Sequence, residues 1–405
     1  MKLDATDTWH QSARGLVMGL VKLMGSAGLT ACLAGLPLDS FAQSIYRITD
    51  LGDLPGGSNY SFAYAINAQG QVAGYGNVAS GEHAFLWDRN IGMLDLGALS
   101  DQPGRSIGYG LNNGSTVVGQ SLVVANQHAF RRVPGMSMED LQTFTGPVGT
   151  SQAQGINNSG VIVGTSLTAL GDRAFVATAP GNMQMIGTLQ GSNFNYSYAY
   201  GINDAGEVVG RSRLGTVEHA FRWTAASGMV DLGDLPAGAD SSVAYAIGAN
   251  GQIVGESGAA TGTRAFLYRP GAAGLIDLGD LPGGVDQSRA FAVNSAGLVV
   301  GGSNVAPDLL AISSHAFIWS VSRSMQDLND LVDPTDPLRS STVLVEARGI
   351  NDSGQIVGLA SIGGQLHGFL LTPIPEPETL SLFVFGLVAI QLTAGFRRGS
   401  AALGK

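Results

Sequence analysis

Histidine is the residue type in this chain that could do the most chemistry, and five of the six histidines share one sequence context. Each stands two residues before a phenylalanine, with alanine or glycine between them. They are His83, His128, His219, His315 and His367. A zinc site would need histidine nitrogens to converge at about 2 Å from one ion. Histidines at one position of a repeated unit lie on separate units, so the pattern predicts structural histidines, no metal site and no cofactor.

Carboxylates are the second group that could do chemistry. A glycosidase needs two carboxyl groups facing each other at about 5 Å or about 6.5 to 9.5 Å. The carboxylates outside repeated positions show no uniting spacing; they include Glu82, Glu139, Glu256 and Glu346. The aspartates of a recurring Asp-Leu-Gly motif are expected to accept hydrogen bonds from turn amides; they are Asp50, Asp95, Asp231 and Asp277. Motifs for a nucleophile elbow, a phosphate-binding loop or a zinc-binding helix are absent from the sequence. We therefore expect no enzymatic activity.

Aromatic residues fall into a repeated set and a non-repeated set. The repeated set shares one strand position and is expected to pack between neighbouring units: Tyr64, Tyr109, Tyr200, Tyr245 and Phe291. The other set lies among serine and asparagine in segments expected to be loops of units one and four: Tyr60, Phe62, Phe194, Tyr196 and Tyr198. Flat aromatic faces beside amides suit sugar rings, which makes these five candidate glycan-binding residues. Simple loop packing is the alternative interpretation.

Composition excludes several classes of protein. The chain has 405 residues, 59 glycines and only 13% charged residues, which argues against disorder and against a helical enzyme. Residues 43–373 contain 15 arginines, no lysine and 26 acidic residues, so we expect no nucleic-acid partner. The single cysteine, Cys32, cannot form an internal disulfide.

A repeat organises the candidate residues. A small apolar residue, then asparagine, two variable residues, glycine and Val-x-Gly recurs seven times with spacings of 45, 45, 46, 45, 46 and 57 residues. The units begin at Ile66, Leu111, Ile156, Ile202, Ile247, Val293 and Ile350. A period of 40 to 50 residues with several short strands is typical of β-propeller blades. The sequence predicts an all-β, seven-bladed β-propeller with about 45 residues and four strands per blade.

The first unit shows how a blade would form, and the ends of the repeat predict closure. Strands are expected at residues 63–67, 71–74, 83–87 and 93–97, followed by a Leu-Pro-Gly-Gly type crossover. The last unit stops after its third strand, at residues 367–371, whereas residues 46–52 form an unmatched fourth-strand motif. Pairing them would remove two exposed sheet edges. The longer last spacing comes from residues 329–346, interpreted as a surface loop.

The His-Ala-Phe, Asp-Leu-Gly and Ile-Asn-x-x-Gly elements together resemble the HAF repeat family of bacterial extracellular proteins. The resemblance covers nearly the whole repeat region, with Arg173 and Arg264 replacing histidine in units three and five and Gly248 replacing asparagine in unit five. It implies a surface or secreted location and no particular activity.

The N-terminal 42 residues predict a secretory signal peptide. Arg14 and Lys22 precede a mostly apolar run, residues 23–38, and the small residues around Ala42 suit signal peptidase. Cleavage after Ala42 is the prediction. A lipoprotein signal is the alternative, because residues 29–32 have the order of a lipobox ending at Cys32.

The C-terminal segment, residues 374–405, combines three elements in order. Pro375, Glu376 and Pro377 precede a largely apolar run, residues 380–396, which Arg397 and Arg398 follow. As a helix the run would reach about 26 Å, a short but possible span of a hydrocarbon core roughly 30 Å thick. This arrangement resembles the PEP-CTERM sorting signal of Gram-negative bacteria, which implies processing by exosortase. A plain C-terminal transmembrane anchor is the alternative.

Together these patterns predict a signal peptide (1–42), a propeller (43–373) and a sorting segment (374–405). The expected precursor is exported, held in the inner membrane by the C-terminal helix and then displayed on the cell surface or in the extracellular matrix. Its expected partners are signal peptidase, exosortase and surface glycans such as exopolysaccharide in a biofilm. A propeller carbohydrate-active enzyme, such as a glycoside hydrolase or lyase, is the alternative. An ice-binding protein is a third possibility, but the repeats lack a long regular threonine array.

Overall fold

A computed structural model describes residues 45–100, 104–189, 196–306 and 313–375. The predicted signal peptide with Ala42, the aromatic residue Phe194 and the sorting segment from Glu376 onward lie outside the described residues. Within them, no helix is long and apolar enough to cross a membrane.

The described residues form seven four-stranded antiparallel sheets, which confirms the predicted seven-bladed all-β propeller. Blade 1 comprises β2 (Ser61–Ile66), β3 (Val72–Val78), β4 (Gly81–Asp88) and β5 (Gly92–Asp95). Blade 2 comprises β6 (Ser106–Leu111), β7 (Val117–Val123), β8 (Asn126–Arg132) and β9 (Glu139–Gln142). Blade 3 comprises β10 (Ser151–Ile156), β11 (Ile162–Thr168), β12 (Gly171–Ala177) and β13 (Met183–Met185). Blades 4 and 5 comprise β14 (Ser197–Ile202), β15 (Val208–Leu214), β16 (Val217–Thr224) and β17 (Gly228–Asp231); and β18 (Ser242–Ile247), β19 (Ile253–Gly258), β20 (Thr263–Tyr268) and β21 (Ile276–Asp277). Blades 6 and 7 comprise β22 (Ser288–Val293), β23 (Val299–Asn304), β24 (Ser314–Ser320) and β25 (Ser324–Asp327); and β26 (Thr342–Ile350), β27 (Ile356–Ile362), β28 (Gln365–Pro373) and β1 (Tyr46–Asp50).

The repeated glycine of Val-x-Gly makes room for the repeated phenylalanine. Phe85 is fully buried in blade 1, and its equivalents in the other six blades are also fully buried. A Cβ atom on Gly74 would lie 1.9 Å from the carbonyl oxygen of Phe62 and 2.8 Å from the Phe85 ring. Only glycine lets the backbone and the ring come this close, which explains why the two motifs recur together.

Serine at the start of an innermost strand links neighbouring blades. The Ser106 hydroxyl donates to the carbonyl oxygen of Gly97 and accepts the N–H of Ala84, and both partners belong to the preceding repeat. The same two bonds recur at Ser61, Ser151, Ser197, Ser242 and Ser288. Each serine is buried, so a lost bond would leave backbone groups without partners in the core.

The N-terminal strand closes the ring, as the sequence predicts. Strand β1 pairs antiparallel with β28, with Tyr46 opposite Pro373 and Asp50 opposite Phe369. The N–H of Ile374 also donates to the carbonyl oxygen of Ile45, at 2.8 Å. Blade 7 therefore takes its outermost strand from the opposite end of the chain.

The insertion between blades 6 and 7 is not merely a surface loop. It contains two 3₁₀ helices, Leu328–Leu331 and Arg339–Ser341, and it packs along the outer edge of β1. The N–H of Asp333 donates to the carbonyl oxygen of Tyr46 at 2.9 Å. The buried carboxylate of Asp336 accepts the N–H of Ile48 at 2.8 Å. The insertion thus pairs backbone groups that a sheet edge would otherwise leave open.

One face of the propeller carries the turns that join the first and second strands of each blade, such as residues 67–71; it is called the turn face.

Candidate functional site

The repeated histidines do not converge; each pairs with an aspartate of its own blade. The Nδ1 atom of His83 on β4 lies 2.9 Å from the Asp95 carboxylate on β5. The equivalent pairs are His128–Asp140, His219–Asp231, His315–Asp327 and His367–Asp50. The aspartates also accept turn amides as predicted, for example the N–H of Gly97 by Asp95 at 2.7 Å. The described residues contain no cluster of three or more metal-ligating side chains.

A β-bulge in each innermost strand places one side chain at the axis of the ring. In blade 1 the pairing of β2 with β3 skips Tyr64, between Ala63 and Ala65, and the other six blades have a bulge at the same position. The seven bulged residues are called the channel belt: Tyr64, Tyr109, Gln154, Tyr200, Tyr245, Phe291 and Arg348. Because bulges redirect side chains and the innermost strands surround the axis, these groups meet around the central channel.

Ring contacts connect neighbouring blades around the belt. The ring centroids of Tyr64 and Tyr109 lie 5.1 Å apart in an edge-to-face arrangement. Those of Tyr200 and Tyr245 lie 5.7 Å apart, and those of Tyr245 and Phe291 lie 5.3 Å apart. The predicted contacts between neighbouring repeats therefore exist.

Arg348 fills the belt position of blade 7, where the sequence repeat gave no aromatic residue. Its guanidinium lies 3.9 Å from the Phe291 ring centroid and 5.6 Å from that of Tyr64, so it bridges blades 6 and 1 as a cation over two rings. It is also ion-paired with Glu346 on its own strand. Sequence reasoning missed this residue because it looked for repeated aromatics only.

The belt hydroxyls are neutral at physiological pH. Burial raises the pKa of Tyr109 well above its ordinary value of 10.0, and burial together with the Glu256 carboxylate raises that of Tyr245. Burial also raises the pKa of Tyr64 and of Tyr200. A protonated phenol can donate a hydrogen bond but is a poor nucleophile, so these groups suit binding more than covalent chemistry.

The predicted glycan-binding residues lie beside the belt, where protein groups already engage them. Phe62 and Tyr198 belong to the innermost strands β2 and β14 rather than to loops. Phe62 is 8% exposed and stacks on Tyr64 at 4.6 Å. The Tyr60 hydroxyl hydrogen-bonds that of Tyr75 at 2.9 Å.

The blade 4 pair of predicted residues is also engaged. The Tyr196 and Tyr198 rings contact each other at 5.7 Å. Arg211 lies over the Tyr198 ring at 4.7 Å, and the Tyr198 hydroxyl donates to Asp172 at 2.7 Å. Both tyrosines are therefore engaged by other groups of the protein.

Each non-repeat carboxylate named from the sequence has an arginine partner. Glu82 pairs with Arg105 at 2.6 Å, and Glu139 pairs with Arg131 at 2.7 Å. Glu256 pairs with Arg289 at 2.6 Å and accepts the Tyr245 hydroxyl at the same distance. Glu346 pairs with Arg348. The charges near the belt are thus largely neutralised in pairs.

The turn face carries a second ring, made of the repeated asparagines. The side-chain amide of Asn67 donates to the backbone oxygen of Asn112 in the next blade, and that of Asn351 donates to Asn67 at 3.0 Å, which closes the circle. The same bond links four more junctions, starting from Asn112, Asn157, Asn203 and Asn294. Gly248 interrupts this ring of hydrogen bonds in blade 5, because glycine has no side-chain amide. The ring surrounds a cup of about 260 Å³ whose lining includes the aliphatic residues that begin the seven repeats.

Comparison with solved structures finds matches of low sequence identity. A putative TolB from Agrobacterium tumefaciens is 12% identical with a TM-score of 0.43, over 59% of this chain and 85% of that one. TolB from Acinetobacter baumannii is 12% identical with a TM-score of 0.44, over 74% of this chain and 66% of that one. A puromycin-hydrolyzing peptidase from Mycobacterium tuberculosis is 12% identical with a TM-score of 0.42, over 69% of this chain and 46% of that one.

No curated protein matches the sequence. A family match covers more than half of the chain, at residues 143–366, which include blades 3 to 6 and strands β26 and β27 of blade 7. The protein therefore belongs to the DUF3466 family, described as proteins of unknown function.

Proposed function

We propose that this protein is an exported, non-enzymatic propeller that binds a surface glycan, such as an exopolysaccharide, in its central channel. The observation that carries the proposal is the channel belt, in which five aromatic rings from different blades surround one axis. Aromatic faces pack against the C–H faces of sugar rings, and neutral phenols hydrogen-bond their hydroxyl groups. The belt offers both, while the neighbouring carboxylates are bound to arginine.

A binding measurement tests this function. Purified protein would be titrated with neutral and acidic oligosaccharides by calorimetry, and compared with Tyr245→Ala and Tyr109→Ala variants. Loss of a belt ring is expected to weaken binding about tenfold or more. Tyr268→Ala is the matched control, because Tyr268 is a half-buried tyrosine on the third strand of blade 5, outside the belt. Equal affinity of the belt and control variants would contradict channel binding.

The same titration separates binding from catalysis. A propeller carbohydrate-active enzyme would release new reducing ends or unsaturated sugars during incubation. We expect the oligosaccharides to be recovered intact, since the carboxylates beside the belt are engaged by arginine and tyrosine. Release of product by the wild type, lost in the Glu256→Gln variant, would favour the enzyme instead.

We further propose that the C-terminal segment sorts the protein to the surface as a PEP-CTERM signal. Pro375, the first residue of the motif, is exposed and comes two residues after the end of β28. Replacing Pro375, Glu376 and Pro377 by alanine should leave an uncleaved precursor in the inner membrane, because the apolar run still inserts. Replacing Arg397 and Arg398 should instead disturb its retention or orientation.

Fractionation of a host that carries exosortase, with mass spectrometry of the mature C-terminus, measures both effects. Normal processing of the alanine variant, or a surface form that still ends at Lys405, would leave a plain anchor as the better interpretation. Mass spectrometry of the N-terminus would also show whether cleavage follows Ala42 or precedes Cys32.

A further inference from the structure

The contacts of the channel belt run through six of the seven blades and are missing in blade 3. From Tyr200 they pass through Tyr245 and Phe291 to Arg348, and then through Tyr64 to Tyr109. Blade 3 has Gln154 at the bulged position, between the pairing residues Ala153 and Gly155. Tyr109 and Tyr200 therefore flank a sector of the channel where the belt lacks an aromatic ring.

Free hydrogen-bonding capacity is concentrated near the same sector. Among the described residues, the Tyr109 hydroxyl, at one border of the sector, has no hydrogen-bond partner in the protein. The side-chain N–H of Gln154 donates to the side-chain oxygen of Gln152 at 2.9 Å. This bond leaves the Gln154 oxygen and the Gln152 amide free for a ligand.

The polar groups on the opposite side of the belt already have hydrogen-bond or ion-pair partners in the protein. The Tyr245 hydroxyl donates to Glu256 at 2.6 Å, and Arg289 pairs with the same carboxylate. Arg348 pairs with Glu346 and lies over the Phe291 ring. A ligand would have to break charge-assisted hydrogen bonds to bind there, at a cost that the blade 3 sector does not impose.

We propose that the sector formed by Tyr109, Gln152, Gln154 and Tyr200 binds one uncharged hexose unit of a glycan. This inference rests on the proposed function and names the sugar class that the channel accepts. The free groups are two carboxamides and a phenol, which match the paired donors and acceptors of sugar hydroxyls. The flanking arginines are not free to bind the carboxylate of a uronate. Arg105 is already paired with Glu82 at 2.6 Å, and Arg211 is paired with Glu218 at 2.9 Å.

Glutamine at this position also explains why the ring contacts are interrupted. An aromatic residue at position 154 would extend the ring contacts from Tyr109 to Tyr200 and complete the belt. Gln154→Tyr should therefore occlude the sector, whereas Gln154→Ala should open it further and remove the amide. The two changes alter the size of the side chain in opposite directions, yet both should weaken binding.

The test is calorimetric titration of the purified protein with cellohexaose, maltohexaose and mannohexaose, and in parallel with hexamers of alginate and polygalacturonate. The wild type should bind at least one neutral hexamer and neither acidic one. Gln154→Tyr and Gln154→Ala should each lose about tenfold or more in affinity. Gln184→Tyr is the control, because Gln184 is exposed on the outermost strand of the same blade.

Thermal unfolding of every variant shows whether it is folded, and Gln154→Asn provides a milder change if one of the others fails. Preferred binding of the acidic hexamers would overturn the inference. So would unchanged binding by both Gln154 variants while Tyr245→Ala loses affinity, although glycan binding in the channel would then stand. Absence of binding to every glycan would overturn the proposed function and this inference with it.

Discussion

The Nδ1 atom of His367 lies 3.0 Å from the carboxylate of Asp50, a residue 317 positions earlier in the chain. In the other blades with a His–Asp pair, the partners are 12 positions apart and come from consecutive strands. The closing strand β1 thus reproduces in blade 7 a contact that the other blades make locally. Closure is therefore specific in its side chains as well as in its backbone pairing.

Removing the closing strand should destabilise the whole ring. Deletion of residues 45–52 is expected to lower the free energy of unfolding by several kcal/mol, because β28 loses one of its two partner strands and the core loses Tyr46 and Ile48. Arg47→Ala is the control, since its side chain is 66% exposed and should matter by less than about 0.5 kcal/mol. Chemical denaturation measures both, and an unchanged midpoint for the deletion would refute closure.

The insertion should contribute to stability through one buried carboxylate. Asp336→Ala removes the acceptor of the Ile48 N–H and should cost about 1 to 3 kcal/mol, because a buried donor is left without a partner. Asp330→Ala is the matched control, from an exposed position of the same insertion. Equal unfolding midpoints for these two variants would mean that the insertion does not support β1.

Stability should depend on pH through His219. Burial alone would lower its pKa, but hydrogen bonds that the imidazole donates to Asp231 at 2.9 Å and to Asp240 at 2.6 Å outweigh that effect, and the pKa is raised above 6.5. A hydrogen bond to Asp327 likewise raises the pKa of His315, although burial opposes it. A raised folded-state pKa adds stability that is complete below the unfolded value and is lost as the pH rises through the folded value.

We therefore expect the contribution of His219 to decline as the pH rises from about 6 through its folded pKa. Asp240→Asn removes one of its two carboxylates and should lower that pKa and flatten this part of the profile. NMR titration of the imidazole gives the pKa, and thermal unfolding at each pH gives the stability. An unchanged histidine pKa in Asp240→Asn would contradict the assignment.

Completing the asparagine ring should stabilise the propeller. At Gly248 an added Cβ would lie 3.2 Å from the Asn250 side-chain oxygen and 3.4 Å from Val293, so a small shift of a flexible side chain makes room. Gly248→Asn should add a hydrogen bond to the backbone oxygen of Asn294 and raise the free energy of unfolding by about 0.5 to 1.5 kcal/mol. Asn203→Gly, which breaks an existing bond, should act in the opposite direction. A destabilised Gly248→Asn variant would show that Asn250 cannot give way.

Local patterns in the sequence determined the blade, the number of blades and the closure. The alternation of apolar residues indicates a strand, and glycine at a fixed position indicates a turn. Both patterns recur in seven copies of one unit, which makes the prediction consistent. The unmatched motif at residues 46–52 could be paired with the last blade because each end lacks what the other supplies. These inferences needed no knowledge of distances between blades.

Only the tertiary structure decided what lies at the axis. The bulge at Tyr64 is a one-residue irregularity in pairing, and no residue type announces it, yet it redirects one side chain per blade into the channel. The equivalent bulge in blade 7 places Arg348 between rings of blades 6 and 1, and that in blade 3 leaves Gln154 as the interruption of the belt. The insertion before blade 7 likewise covers β1 through contacts between distant parts of the chain. Contacts between distant segments depend on how the ring closes, and sequence spacing within a repeat carries no information about them.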